Sequence, residues 1–175
     1  MTTVWGIDFN ALSLKDALDL AALIEEEAKE RYEDFAAQMD LHHTPEAARF
    51  FRFMAMNEEN HGAELSTRRT ELFGSEPSRV TRSMLFEVEA PEFDEVRAFM
   101  SAREALHVAF RAEKKAWAFF SEAAPRVADL RVQALFAELR EEEARHQRLV
   151  LAELEKTPPE SALKQADVAD DPVAQ

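Results

Sequence analysis

A four-helix bundle assembled from two similar helical hairpins is the all-α fold this sequence predicts, and three observations predict it. Only three of the 175 residues are glycine, while alanine, leucine, glutamate and arginine abound, a balance that favours helix over sheet. Long stretches with helical periodicity are set off by recognisable cap and turn signals. The chain also repeats itself: Glu25 and Glu113 lie 88 residues apart, and both Glu58 to Glu143 and His61 to His146 span 85.

The first helix is expected from Ser13, where Ser13 and Asp16 approximate a capping box, through Leu14 to about Asp40. His42-His43-Thr44-Pro45 reads as a turn, with Thr44 capping the second helix and Pro45 at its first position. That helix should run to about Leu72 and stop at Gly74. Residues Phe73 to Pro91 read as an irregular connection, too long for a tight helical hairpin and long enough to cross between the ends of a bundle. A short helical piece is expected around Asp94 to Met100. Ser101 and Glu104 restart the first helix's cap pattern, and the fourth helix is expected from near Asp129 to near Lys156. Residues 1–156 thus form one domain, and the polar, acidic stretch 157–175, which begins with prolines, reads as a disordered tail.

The repeat aligns residue by residue. Ala28 pairs with Ala116 and Tyr32 with Phe120, while Phe51, Met54, Glu58 and His61 pair with Phe136, Leu139, Glu143 and His146. Glu25 shares a helix face with Ala21, Ala28 and Tyr32, and Glu113 shares one with Ala109, Ala116 and Phe120. Glu58 and His61 lie on the stripe of Phe51, Met54 and Leu65, and Glu143 and His146 on that of Phe136, Leu139 and Val150. At roughly 1.5 Å per residue, Glu25 and Glu58 stand about 24 and 21 Å from their shared turn, and Glu113 and Glu143 about 17 and 21 Å from theirs. Four carboxylates and two imidazoles therefore meet near one level. Ionised carboxylates in such stripes are costly unless paired or bound to metal, and two divalent cations would relieve their repulsion.

Composition excludes several alternatives. With no cysteine, thiol catalysis, disulfides and iron–sulfur clusters are ruled out, and a net charge of −14 argues against nucleic acid. The opening MTTVWGIDFN lacks the basic and apolar runs of a secretory signal, and no apolar stretch is long enough for a bilayer, so a cytoplasmic protein with no membrane association is expected. Glu26, Glu27, Glu30, Glu33, Glu141 and Glu142 are assigned to solvated faces or their margins, Glu59 beside the ligand face to solvent rather than to support of the site, His42 and His43 to an exposed turn, and His107 is rotated off the ligand face. Met54 and Met56 read as packing residues. Tyr32 and Trp117, each within two turns of a ligand, are candidates for supporting the site or for electron transfer, against a plain packing role. Carboxylate-rich ligation with one imidazole per metal suits iron, manganese or a mixed pair better than zinc.

In Glu25-x-x-Ala28-x-x-x-Tyr32, Glu58-x-x-His61, Glu113-x-x-Ala116-Trp117 and Glu143-x-x-His146, the chain resembles the rubrerythrin and erythrin branch of the ferritin-like superfamily over residues 10–155. The resemblance implies an antiparallel ferritin-like bundle with a long crossover between helices 2 and 3, a homodimer, and a centre of two iron ions. It further implies that Glu58 and Glu143 bridge the ions, with Glu25 and His61 completing one and Glu113 and His146 the other. Two departures stand out: there are no cysteines for a rubredoxin-type iron site, and Ala116 replaces a glutamate that rubrerythrins carry. The six-residue set is then more similar to a ferritin or bacterioferritin ferroxidase centre. The function this implies is oxidation of Fe(II) with dioxygen or hydrogen peroxide, in iron detoxification and oxidative-stress defence. The alternatives are a peroxidase reduced by an external electron-donor protein, and a metal-binding or iron-sensing module without turnover.

Overall fold

The computed structural model describes residues 8, 9, 11–84 and 101–158. Four helices fill almost all of that: α1 (Leu14–Leu41), α2 (Pro45–Phe73), α3 (Ala102–Ala123) and α4 (Leu130–Lys156). α1 packs along α2 and α3 along α4, giving the two hairpins of the expected all-α bundle, with the long crossover between α2 and α3. Among the described residues no helix is long and apolar enough to cross a membrane.

The boundaries follow local chemistry. The Ser13 hydroxyl accepts from the Asp16 amide at the start of α1. At α3 the reciprocal capping box is complete, the Ser101 amide donating to Glu104 at 2.9 Å and the Glu104 amide to the Ser101 hydroxyl at 3.2 Å. Asp129 caps α4 by accepting from the Arg131 amide at 2.8 Å. Gly74, with φ of 57°, closes α2 in the left-handed conformation that suits glycine. Thr44 departs from expectation. Its side chain makes no cap to α2 but donates back to the Met39 carbonyl at 2.9 Å. His43, at a φ of 56°, reverses the chain so that Thr44 finishes α1 instead.

The crossover leaves α2 without regular structure until a short 3-10 turn at Arg82–Met84. Its first leg is fastened to the first hairpin. Arg69 pairs with Asp19 at 2.8 Å and donates to the carbonyls of Gly74 and Glu76, while Lys15 donates to the Pro77 carbonyl at 2.9 Å. Farther on, Arg82 grips Glu30 through two bonds of 2.8 and 3.0 Å. The helical piece expected at Asp94 to Met100 and the tail from 159 onward lie outside the described residues.

The core comes in two apolar clusters. One gathers Leu18 and Ile24 of α1, Leu65 of α2, Phe119 and Phe120 of α3, and Leu135, Phe136 and Leu139 of α4. The other gathers Phe35, Met39, Phe51, Met54, Leu106 and Val150, with Tyr32 at its edge. On every helix the six singled-out glutamates and histidines fall between residues of one cluster and residues of the other. A polar layer therefore crosses the bundle at mid-height, held from both ends by apolar packing.

Gly62 lies where α2 approaches α1. A Cβ added there would meet the Glu25 Cβ at 3.5 Å, an ordinary contact. Because glycine in a helix costs roughly 0.5–1 kcal/mol relative to alanine, Gly62→Ala should raise the stability of the metal-free protein by about that amount. Thermal unfolding checks this; a lowered midpoint would mean the helices are closer than described.

Candidate metal centre

Glu25, Glu58, Glu113, Glu143 and His146 are each at least 96% buried, and the His61 side chain is 16% exposed. Their faces are what put them there: each follows the i, i+3, i+4 spacing of the buried apolar residues on its helix. The flanking residues Ala21, Ala28, Ala109 and Ala116 are buried as well, and their small side chains leave the space that the carboxylates occupy.

The two imidazole rings stack nearly parallel, 5.3 Å apart with 12° between planes. Around His146, Nδ1 lies 3.1 Å from Glu58 Oε1, 3.4 Å from Glu113 Oε2 and 3.9 Å from Glu143 Oε2. Around His61, Nδ1 lies 3.9 Å from Glu25 Oε2, 3.9 Å from Glu58 Oε2 and 4.0 Å from Glu142 Oε2. Glu58 thus turns one oxygen toward each imidazole. Glu143 meets His146 and Glu113. The Tyr32 hydroxyl donates to Glu113 Oε1 across the bundle, and Gln147 Nε2 donates to the Glu113 carbonyl at 3.3 Å.

Electrostatics follows from burying so much acid in one layer. Burial pushes the Glu25 carboxyl up to about 7, the Glu58 contact offsetting part of the effect. Burial, and then the charges of Glu113 and Glu25, push Glu143 well above the carboxylate range. Burial also acts on Glu113, but the contacts with His146, Glu143 and the Tyr32 hydroxyl outweigh it, and its pKa falls. Burial and then His146 lower the His61 pKa, favouring the neutral imidazole that a metal needs. Burial raises the Tyr32 hydroxyl well above its ordinary value, so it remains a donor.

The donor set fits a pair of metal ions. Nδ1 of His61 and Nδ1 of His146 are buried without a hydrogen-bond partner, although carboxylate oxygens converge on both. Ligand atoms around an ion with bonds of about 2 Å stand roughly 3–4 Å from one another, the spacing seen around each nitrogen. Among the described residues, three groups have ligand atoms within 4.8 Å of one another: Glu58 with His61 and His146, Glu113 with Glu143 and His146, and Glu25 with His61 and Glu142.

All six residues singled out by sequence are brought together, and Tyr32 joins them through Glu113. Trp117 stands at the surface instead, 41% exposed. Glu59 pairs with Lys29 at 2.7 Å on the outside, and His42, His43 and His107 are exposed. Met54 is buried, whereas Met56 is 52% exposed.

Glu142 joins the site unforeseen. Assigned by sequence to a solvated face or its margin, it is partly exposed and turns toward His61, its own pKa raised by burial and then by Glu138. Its repeat partner is Asn57, so comparison of the halves gives it no signal. Its spacing does: Leu135, Leu139 and His146, at offsets of −7, −3 and +4, are all buried. A groove of about 110 Å³ between α2 and α4 opens beside it, reaching His61 from solvent past Glu64, Arg68 and Glu138.

Comparison with known proteins gives matches to one family and one solved structure. The family model described as Rubrerythrin matches residues 16–154. The crystal structure of an uncharacterized conserved protein from Magnetospirillum magnetotacticum MS-1 is 31% identical in sequence and superimposes with a TM-score of 0.69. The match covers 85% of this chain and 97% of that one. No curated protein matches.

Because burial raises the Glu25 carboxyl to about 7 and the Glu143 carboxyl well above the carboxylate range, a divalent ion competes with protons for both. Metal affinity should therefore rise with pH through about 7, with proton release on binding below that point. Calorimetry in buffers of different ionisation enthalpy measures the release; affinity independent of pH would contradict it.

Proposed function

The chain belongs to the rubrerythrin family, and on that premise we propose that it is a di-iron oxidoreductase whose reaction is oxidation of Fe(II) by dioxygen or peroxide. The observation that carries the reading is Glu58, a buried carboxylate with one oxygen directed at each of two neighbouring imidazoles. Two iron ions held by these side chains would supply the redox chemistry, delivering electrons to the oxidant.

The protein's own part is positional and electrostatic. Glu25 and Glu58 with His61, and Glu113, Glu143 and Glu58 with His146, provide two adjacent donor groups of the hard oxygen and imidazole type that suits iron. Manganese or a mixed pair fits the same donors. Tyr32 holds Glu113 by its hydroxyl and fixes that carboxylate's orientation. The apolar clusters above and below keep bulk water from the layer, while the groove at His61 gives small reactants a way in. Iron detoxification and defence against oxidative damage are the roles this chemistry would serve.

Glu58→Ala removes the one carboxylate shared by both imidazoles and should slow initial Fe(II) oxidation by about 100-fold or more. Glu59→Ala, at the exposed neighbour, should leave the rate near that of the unaltered protein. Stopped-flow loss of chelatable Fe(II) in air measures both; rapid oxidation by the Glu58 variant would sink the proposal.

A second reading, peroxide reduction with electrons from a donor protein, draws on one observation. Trp117 lies a single turn beyond Glu113 on α3 and reaches the surface, a suitable place for electrons to enter. This reading expects peroxide to oxidise the iron-loaded protein much faster than air and Trp117→Phe to slow re-reduction by a donor. Equal rates with the two oxidants would count against it.

A further inference from the structure

The two halves of the centre are not alike. His146 is 2% exposed and is enclosed by Glu58, Glu113 and Glu143. The His61 side chain is 16% exposed and borders the groove between α2 and α4. On that side a fifth carboxylate is present. Glu142 Oε2 stands 4.0 Å from His61 Nδ1, against 3.9 Å for both Glu25 Oε2 and Glu58 Oε2, so the three oxygens surround the nitrogen at one distance. The nitrogen is buried and has no hydrogen-bond partner. At the corresponding position of the other half the chain has Asn57, whose amide is a far poorer ligand for a hard cation than a carboxylate.

We propose that Glu142 is a further ligand of the metal ion at the His61 position, and that this position is the exchangeable one, loaded and emptied through the groove between α2 and α4. The inference rests on the two-metal reading of the site and adds to it an order among the ions. A carboxylate on the groove wall can hold an arriving cation before Glu25 and Glu58 complete its coordination, and can follow it outward on release. Arg68, also on the wall, is paired with Glu138 at 3.2 Å, which offsets its charge there. Among the described residues the His146 position has no such carboxylate at a solvent opening, and an ion there would be held between buried groups alone.

The test is anaerobic calorimetry of the metal-free full chain with Fe(II), followed by timed release of bound iron to a ferrous chelator. The unaltered protein should take up two ions, one released faster than the other. Glu142→Gln should keep one ion at unchanged affinity and bind the other about tenfold or more weakly, with correspondingly faster release. Glu59→Gln, which removes an exposed carboxylate close to the centre but outside the groove, should behave as the unaltered protein, separating ligation from general attraction of cations. Glu142→Asp keeps the charge but shortens the reach, and should show the same selective weakening, which supplies a second variant should the amide disturb folding. Two ions with unchanged affinities and release rates in both Glu142 variants would overturn the inference while leaving the two-metal centre standing. Equal weakening of both ions, or equal effects at Glu59, would overturn it too. Failure of the unaltered protein to bind two ions would remove the two-metal reading and this inference with it.

Discussion

Everything in this bundle is organised around the burial of four carboxylates in one layer. An ionised carboxylate in an apolar interior loses several kcal/mol of solvation after relaxation, and like charges a few ångströms apart raise the cost further. Without metal the layer is eased by the raised proton affinity of Glu25 and Glu143 and by the Tyr32 hydroxyl on Glu113. Those adjustments leave two imidazole nitrogens unmatched. Cations answer both needs at once, balancing the acid and taking up the nitrogens. The same layer explains the length of the helices, which run 22 to 29 residues. Each must contribute to apolar packing above the layer and again below it, because a single cluster at one end would leave the charged level at the edge of the fold.

The connections serve that level. Reversal at His43 and Thr44 brings Glu25 and Glu58 opposite one another, and the α3–α4 turn does so for Glu113 and Glu143. The first leg of the crossover is tied back onto the first hairpin. Its anchors are partly buried: the Arg69 and Asp19 side chains are only 13% and 12% exposed, and Arg69 also holds the carbonyls of Gly74 and Glu76. Exposed ion pairs such as Arg82 with Glu30 contribute little to stability, because solvent screens them. Their effect is better described as directing the chain along α1.

Much of this was legible in the sequence because helices, caps and repeats leave periodic or local signals. Ser13, Ser101, Asp129 and Gly74 mark helix ends by chemistry that acts within a few residues. The six residues of the centre were legible because subtraction aligned the halves and the apolar stripes oriented them. What stayed hidden lacked one of those signals. Thr44 turned back because the conformation of His43 decided its direction, and φ is not written in residue type for a histidine. Arg69 and Lys15 bind carbonyls of an irregular segment, contacts that no periodicity announces. Glu142 was concealed by the very rule that found the others, since its counterpart is Asn57.

The departures from symmetry carry the most functional meaning. If the two hairpins were identical, the two metal positions would be equivalent, with the same affinity, access and electronic environment. Three repeat-related pairs near the centre break that equivalence. Tyr32 gives Glu113 a hydroxyl donor, whereas Phe120 can give Glu25 none. Gly62 presents only hydrogen toward Glu25, whereas Gln147 reaches the Glu113 carbonyl. Glu142 faces His61, and Asn57 stands in its place in the other half. Each difference acts in the same direction. The Glu113 and His146 side is braced by added hydrogen bonds and enclosed, while the Glu25 and His61 side has fewer restraints, an extra carboxylate and an opening to solvent. A pair of ions in such a frame would be unequal, one enclosed among buried groups and the other beside an opening to solvent.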